Sequence, residues 1–328
     1  MKIIEVTSDI AEMAKVQQDC VLTIGNFDGV HLGHQEILAT ARRIATERNA
    51  DFVVMTFEPH PLAVLHPQRK PGILTPLALK KHILAELKVD CLLVVQSTPE
   101  LLSLSPQNFI QRFLLESIGP AVVVEGRSFN FGSGRTGSVD VMQKLGATKG
   151  FEVVVVDSKE VKMSTGQSVA VSSTVIRDLL QAGSVADAAV ALGKAYRLIG
   201  QVVPGRGKGK QLGFPTANMH PPQQLIPAEG VYAGFSEIGD TFEDLCIAKQ
   251  KLLSVFSIGR SETLAQQHTL LIEAHLLTKH VGQLYDKWLA MDFIERLRDQ
   301  QKFKTESQLS AQIAKDCEKA RLILPGRG

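Results

Sequence analysis

Ten consecutive residues near the start of the chain, Gly25-Asn26-Phe27-Asp28-Gly29-Val30-His31-Leu32-Gly33-His34, carry an unusual density of reactive side chains. Two histidines three positions apart lie on one side of a helical turn, so both can address a single ligand. The glycines let a ligand approach the backbone closely. The first turn of a helix also offers free N–H groups and the positive end of its dipole, a setting that favours phosphate. An imidazole there can donate to a phosphoryl oxygen whose charge grows during reaction. Metal ligation by His31 and His34 is the competing reading. It is weaker, because a dipole-positive helix end favours anions over cations.

A second group is Val171-Ser172-Ser173-Thr174-Val175-Ile176-Arg177, closed by Gly183. Ser172 or Ser173 is a natural N-cap and Gly183 a natural C′ residue. Three hydroxyls and a guanidinium one turn inside the helix make a clamp for a triphosphate. A third stands in the second half, where Gly205, Gly207 and Gly209 alternate with Arg206, Lys208 and Lys210. That is a flexible basic loop able to fold over phosphates. It leads into Phe214-Pro215-Thr216-Ala217-Asn218, a rigid apolar turn that presents Thr216 and Asn218 as oxygen ligands suited to Mg²⁺. Farther on, Glu273 and His275 share one face of a strand, and a carboxylate there can take a proton from an attacking hydroxyl.

The elements that position these groups differ between the halves. From residue 20 to about 157, apolar runs at Val21–Ile24, Phe52–Phe57, Leu92–Gln96, Ala121–Glu125 and Val153–Val156 alternate with helical patterns. These include Gln35–Asn49, Pro76–Leu87, Pro106–Ser117 and Val139–Leu145. Strands without polar alternation, separated by helices, predict a parallel sheet covered on both faces, with ligands at the carboxyl ends of its strands. Gly25–His34, Thr56-Phe57-Glu58-Pro59-His60-Pro61 and Gly126-Arg127-Ser128-Phe129-Asn130-Phe131-Gly132 all follow such ends. After an Ala-rich connector at Ser184–Leu192, strand-like segments at Tyr196–Val203, Val231–Ile238, Asp244–Phe256 and Thr269–Leu277 follow one another without helical spacers. They predict an antiparallel barrel or sandwich. A last helix runs from Glu306 to about Leu324, with Thr305 and Gln308 forming a capping box. The expected domains are 1–186 and 187–328.

A chain of 328 residues suits two domains, and its 44% hydrophobic and 21% charged content are those of a globular protein. A net charge of +2 points to no nucleic-acid partner. Four cysteines without Cys-x-x-Cys spacing suggest neither disulfides nor zinc, and fit a reducing cytosol. No signal peptide or membrane-length apolar run is visible, so the expectation is a cytoplasmic protein without a membrane partner.

Gly-Asn-Phe-Asp-Gly-Val-His-Leu-Gly-His, Thr-Phe-Glu-Pro-His-Pro, Phe-Asn-Phe-Gly with Arg135 and Gly137, and Ser-Ser-Thr-Val-Ile-Arg together resemble the adenylyltransferase module of bifunctional bacterial riboflavin kinase/FAD synthetases. Gly-Phe-Pro-Thr-Ala-Asn, Gly230-Val-Tyr-Ala, Glu273-x-His275 and Leu297-Arg298 with Lys302-Phe303 resemble its riboflavin kinase module. The resemblance spans essentially the whole chain. It implies a Rossmann-like nucleotidyltransferase domain followed by a six-stranded flavin-binding barrel. It also implies two reactions, riboflavin to FMN and FMN to FAD, with ATP as co-substrate and magnesium as cofactor. By the same resemblance Gly25, Asn26, Phe27 and Asp28 line the nucleotide and His31 and His34 steady its phosphates. Ser172, Ser173, Thr174 and Arg177 hold the phosphate tail, and Thr216 and Asn218 bind Mg²⁺–ATP. Glu273 activates the ribityl hydroxyl. Three places depart from the family pattern, two of them single residues and one a loop. Ser128 stands for Asp or Asn, Ser257–Leu264 replaces Asn-Ile-Gly-x-x-Pro-Thr-Phe, and Asp286 replaces Gly. The other readings are adenylyl transfer alone with a barrel that only binds flavin, a non-catalytic flavin- or nucleotide-responsive protein, and adenylyl transfer to another phosphorylated small molecule.

Overall fold

The computed structural model describes residues 1–7, 16–205, 207–247, 250–262, 268–278 and 282–326. They form two compact units: residues 1–71, 75–161 and 168–172 in the first, and residues 72–74, 162–167 and 173–328 in the second.

The first unit holds a six-stranded sheet made of β1 (Lys2–Val6), β2 (Val21–Ile24), β3 (Phe52–Glu58), β4 (Cys91–Gln96), β5 (Val122–Gly126) and β6 (Glu152–Val156). Their order is β1-β4-β3-β2-β5-β6, and every neighbouring pair is parallel. The four central strands, β2 to β5, read as continuous apolar runs because both faces are covered. Leu22, Ile24, Val53, Met55 and Leu93 pack with Phe109, Ile110 and Phe113 on one side. Val21, Val54, Leu92 and Val124 meet Leu38, Ala41, Ile44 and Ala45 of α1 (Leu32–Arg48) and Leu84 of α2 (Leu77–Glu86) on the other. Consecutive residues thus bury alternately on opposite faces. The chain order reverses at β2, which lies between β3 and β5, and such a switch point opens a crevice at the strand ends. The expected helix over 106–117 is only a short α turn at Pro106–Asn108. It continues as a π-helix over Phe109–Leu115.

The second unit is a closed antiparallel barrel of β7 (Tyr196–Val203), β8 (Ala217–Met219), β9 (Gly230–Gly239), β10 (Leu252–Glu262), β11 (His268–Leu276) and β12 (Trp288–Arg298), in the order β7-β8-β11-β10-β9-β12. Tyr196, Tyr232 and Phe256 each bring a ring within 6.4 Å of the Phe293 ring, an aromatic core. A terminal helix, Glu306–Ile323, covers Val231, Ala233, Phe235 and Leu297 with Cys317, Ala320 and Leu324. The helix opens as expected, with Thr305 Oγ1 accepting from Gln308 N at 3.2 Å. Helices over Ser173–Gln181 and Val185–Leu192 also belong to this unit.

The segment Asp244–Phe256 is not one strand. Phe242–Ile247 is a helical turn, and the strand begins only at Leu252. The cause is local: Asp244 Oδ2 accepts from Asp240 N and Thr241 N at 3.0 and 2.8 Å, while Thr241 Oγ1 accepts from Asp244 N at 3.2 Å. These bonds close a helix start where a strand needs its backbone for neighbours.

Candidate functional site

The first constellation sits where β2 turns into α1. His31 is the N-cap of α1, with φ −69° and ψ 170°, and its Nδ1 accepts from His34 N at 3.2 Å. The helix therefore begins one residue ahead of the expected Gly33 or His34. Because Nδ1 is an acceptor, a neutral His31 carries its hydrogen on Nε2. The two imidazoles stack, centroids 3.6 Å apart at 16°. A Cβ at Gly33 would lie 3.3 Å from the His31 ring, so the small residue lets the cap close. Burial, with His31 and Lys80 as neighbouring positive or potentially positive groups, pushes His34 well below the ordinary imidazole pKa. Among the described residues its Nδ1 is enclosed and without a hydrogen-bond partner. His34 thus stands neutral at the positive end of a helix, poised to gain from an arriving anion.

The turn that leads to His31 is braced from the neighbouring loops. Asn26 O accepts from Lys80 Nζ at 2.7 Å and from Thr56 Oγ1 at 3.3 Å. The Asn26 amide lies 3.2 Å from His60 Nε2, and Asp28 Oδ1 accepts from Thr75 N at 3.0 Å. Phe27 and Val30 hold positive φ of 46° and 43°, a conformation that costs side-chain-bearing residues energy. Glu125, buried at the end of β5, accepts from Ile24 N at 2.6 Å through Oε1. The side chain takes over where β2–β5 backbone pairing stops, after Leu22 and Val123. Burial drives its carboxyl well above the ordinary range.

Gly25, Asn26, Phe27, Asp28, His31 and His34 are therefore gathered around one turn. Ser128 lies in the exposed loop after β5, its carbonyl accepting from Asn130 Nδ2 at 2.7 Å. Ser172 closes the first unit, whereas Ser173, Thr174 and Arg177 lie on a helix of the second. Arg177 Nε donates to Gly72 O at 2.8 Å. Lys80 and Glu125 escaped the sequence reading. Their one signal was a charge at an apolar position: Lys80 shares a helix face with Leu77 and Leu84, and Glu125 ends the run Val122–Val124.

The second constellation lies in the barrel wall. Asn218 and Glu273 are directly paired across β8 and β11, and Thr216 Oγ1 lies 3.4 Å from Glu273 Oε1. His275 Nδ1 is 2.8 Å from Pro215 O, and its ring meets Phe214 edge-on with centroids 5.5 Å apart. These contacts fix the Phe-Pro-Thr turn. Phe214 N donates to Gly209 O at 2.8 Å, closing the glycine-rich segment on it. A Cβ at Gly205 would fall 2.0 Å from Asn218 Nδ2, so any larger residue there would displace the Asn218 side chain. Gly207 adopts φ 71°. Ala217 is buried opposite Ala274, in the wall itself. Arg206 and the side chain of Lys210 lie outside the described residues, as do Thr263 and Leu264. Asp286 takes φ 64°, the left-handed conformation that glycine adopts freely. No group of three or more His, Cys, Asp or Glu suited to a metal occurs among the described residues. An oxygen set of one hydroxyl, one amide and one carboxylate nevertheless fits a hard cation that keeps waters and phosphate oxygens.

A family model described as FAD synthetase matches residues 13–175, and one described as riboflavin kinase matches residues 192–324. The chain is 36% identical over 300 residues to a bifunctional riboflavin kinase/FMN adenylyltransferase of Escherichia coli (strain K12), covering 92% of this chain and 91% of that protein. The protein of the same description from Pseudomonas fluorescens is 34% identical, covering 93% of each. Its counterpart in Bacillus subtilis (strain 168) is 32% identical, covering 98% of this chain and 97% of the relative. A crystal structure described as a macrolide-efflux protein from Streptococcus pneumoniae superposes with a TM-score of 0.82 at 26% identity, covering 97% of this chain and 99% of that one. No described helix is long and apolar enough to cross a membrane.

Proposed function

The chain belongs to the bifunctional riboflavin kinase/FMN adenylyltransferase family, and on that premise we propose that it makes both flavin cofactors at two separate sites. Residues 1–186 are assigned to adenylyl transfer and residues 187–328 to phosphorylation. The observation that carries the reading is the stacked His31–His34 pair at the start of α1, beside the switch point of a parallel sheet.

In adenylyl transfer a phosphate oxygen of FMN attacks the α-phosphorus of ATP. The bond from that phosphorus to the bridging oxygen breaks, and pyrophosphate leaves. Such displacements depend on alignment and on neutralising charge that builds on the phosphoryl oxygens. His31 donates through Nε2–H and His34 through its own ring, while the α1 N–H groups and dipole add fixed positive potential. Gly25, Asn26, Phe27 and Asp28 line the nucleotide. The hydroxyls of Ser172, Ser173 and Thr174 and the guanidinium of Arg177 bind the phosphate tail, by the sequence motif they share with the family. Ser128 lies in the loop that meets the flavin nucleotide.

In phosphorylation the ribityl 5′-hydroxyl of riboflavin attacks the γ-phosphorus of ATP, and ADP leaves. Glu273 takes the hydroxyl proton. Gly205, Gly207 and Lys210, with Phe214, Pro215 and Ala217, shape the loop over the phosphates. Thr216 and Asn218 would hold Mg²⁺, which when bound neutralises phosphate charge.

The test is purified protein supplied with MgATP and either riboflavin or FMN, with FMN, FAD and pyrophosphate measured. His34→Ala is expected to abolish FAD formation while FMN formation persists, and Glu273→Ala to do the reverse when FMN is supplied. Wild-type protein that makes neither product would refute the assignment. Equal loss of both activities in His34→Ala would refute separate sites.

A further inference from the structure

Lys80 is an unusual residue in an unusual place. It lies in the first turn of α2, 5% exposed, on the face that carries Leu77 and Leu84 into the sheet packing. Lysine is almost never so buried without a task for its charge. Its Nζ donates to the carbonyl of Asn26 at 2.7 Å, within the Gly25–Asp28 turn. That carbonyl immediately precedes Phe27, whose positive φ must be held by its surroundings. Asp28 and Glu58 supply the opposite charge that keeps the ammonium tolerable in a buried position, against the desolvation that lowers its pKa.

We propose that Lys80 is a positioning residue for adenylyl transfer, clamping the Asn26–Phe27 turn and setting the charge environment in which His34 meets phosphate. The proposal rests on the assignment of His31 and His34 to that reaction.

Two consequences separate this role from mere packing. The clamp fixes the backbone that leads to His31, so losing it should misplace both imidazoles; displacements near 1 Å can cost on the order of 10²-fold in rate. The charge also acts on His34 directly. The titratable or charged groups acting on His34 are His31, on the same helix, and Lys80, on α2. Lys80 disfavours the imidazolium, so neutralising position 80 must raise the His34 titration midpoint.

Lys80→Met removes clamp and charge together. Lys80→Gln removes the charge but keeps an amide donor for Asn26 O. Both would be assayed as full-length protein for FMN adenylylation and riboflavin phosphorylation, with the His34 ring followed by NMR titration. The expected result is a fall in adenylylation kcat on the order of 10²-fold for Met and a smaller fall for Gln. Phosphorylation should stay within about twofold, and the His34 midpoint should rise in both. Should Lys80→Met fail to fold, Lys80→Gln carries both measurements. An unmoved midpoint, or adenylylation within about twofold of wild type in the variants that fold, would overturn the proposal. Undiminished adenylylation in His34→Ala would instead overturn the underlying assignment and leave the Lys80 titration result standing.

Discussion

His31 is a helix cap and, in the proposed mechanism, a hydrogen-bond donor to phosphate, and two substitutions separate those roles. Its Nδ1 accepts from His34 N at 3.2 Å, which uses one ring nitrogen for capping and makes the phosphate-donor role proposed for Nε2–H a separable one. Asparagine is among the strongest N-caps, so His31→Asn should preserve α1; His31→Ala should cost about 1 kcal/mol. In a unit of this size that is a fall of about 2–4 °C in the melting transition. Both variants lose the Nε2–H donor. Removing one oxyanion-type donor costs about 10²–10³-fold in kcat, or about 2.7–4 kcal/mol. The loss should be as large in Asn as in Ala, because the side chain of Asn is shorter and occupied with the cap. The assay is pyrophosphate release from FMN and MgATP, with riboflavin phosphorylation as the internal control and calorimetry reporting the cap. His31→Asn with wild-type adenylyl transfer would show that His31 is only a cap, and the phosphate role would fall.

Three other outcomes follow from the geometry. Gly205→Ala places a Cβ 2.0 Å from Asn218 Nδ2, so Asn218 must move; riboflavin phosphorylation should drop at least about tenfold with adenylyl transfer intact, the scale of a misplaced phosphate-site group. Unchanged KM for MgATP and unchanged rate would refute the role of Asn218. Arg298 grips Asp316 with Nε at 3.0 Å and Nη2 at 2.7 Å, and the two side chains are 15% and 5% exposed. Arg298→Met leaves that carboxylate buried and unpaired and should cost about 3–5 kcal/mol in urea unfolding; a change below about 1 kcal/mol would contradict the pair's burial. Glu125 has a folded pKa raised by burial, so its contribution is fully present below the unfolded value of about 4.3 and is lost as pH rises toward the folded value. Glu125→Gln keeps the acceptor for Ile24 N without a titrating group, so its stability relative to wild type should increase as pH rises above about 4. Parallel stability–pH curves would refute a neutral Glu125.

Elements with one dominant local signal were read correctly from sequence. The buried parallel strands announced themselves as apolar runs, and the terminal helix by its Thr305–Gln308 start. Three features were not legible. Lys2–Val6 is too short and too mixed to stand out, yet pairs in register with Cys91–Val95. Trp288–Arg298 shows no clean alternation because both of its faces are covered, with Phe293 in the aromatic core and Asp292 held by Arg197 at 2.7 Å. Ser173–Gln181 carries a motif that sequence joins to the first half. Its contacts nonetheless group it with the barrel unit, through Ala228 N to Leu180 O at 2.9 Å and Arg177 Nε to Gly72 O. Covalent order ties that helix to one neighbour and tertiary packing to another, and only the second depends on residues far along the chain.

The same distinction applies to the site. Residues proposed to act on a ligand directly must be of particular types at particular spacings, so His31, His34, Thr216, Asn218 and Glu273 stand out by identity. Lys80 and Glu125 act through others, and their types are unremarkable until their burial is known. One holds a carbonyl beside a strained residue, and the other replaces a missing backbone partner at the fork between β2 and β5. Each is a buried ionisable group whose desolvation cost must be offset by what it holds in place. A charge interrupting an apolar face is the trace such residues leave in sequence. It becomes a functional signal only when the fold brings that face beside a turn with chemistry of its own. His34 shows why this matters: an exposed imidazole would titrate near its usual value, and its neutral state here comes from burial and from the neighbours His31 and Lys80. The motif names the histidine, but the packing around it sets its protonation.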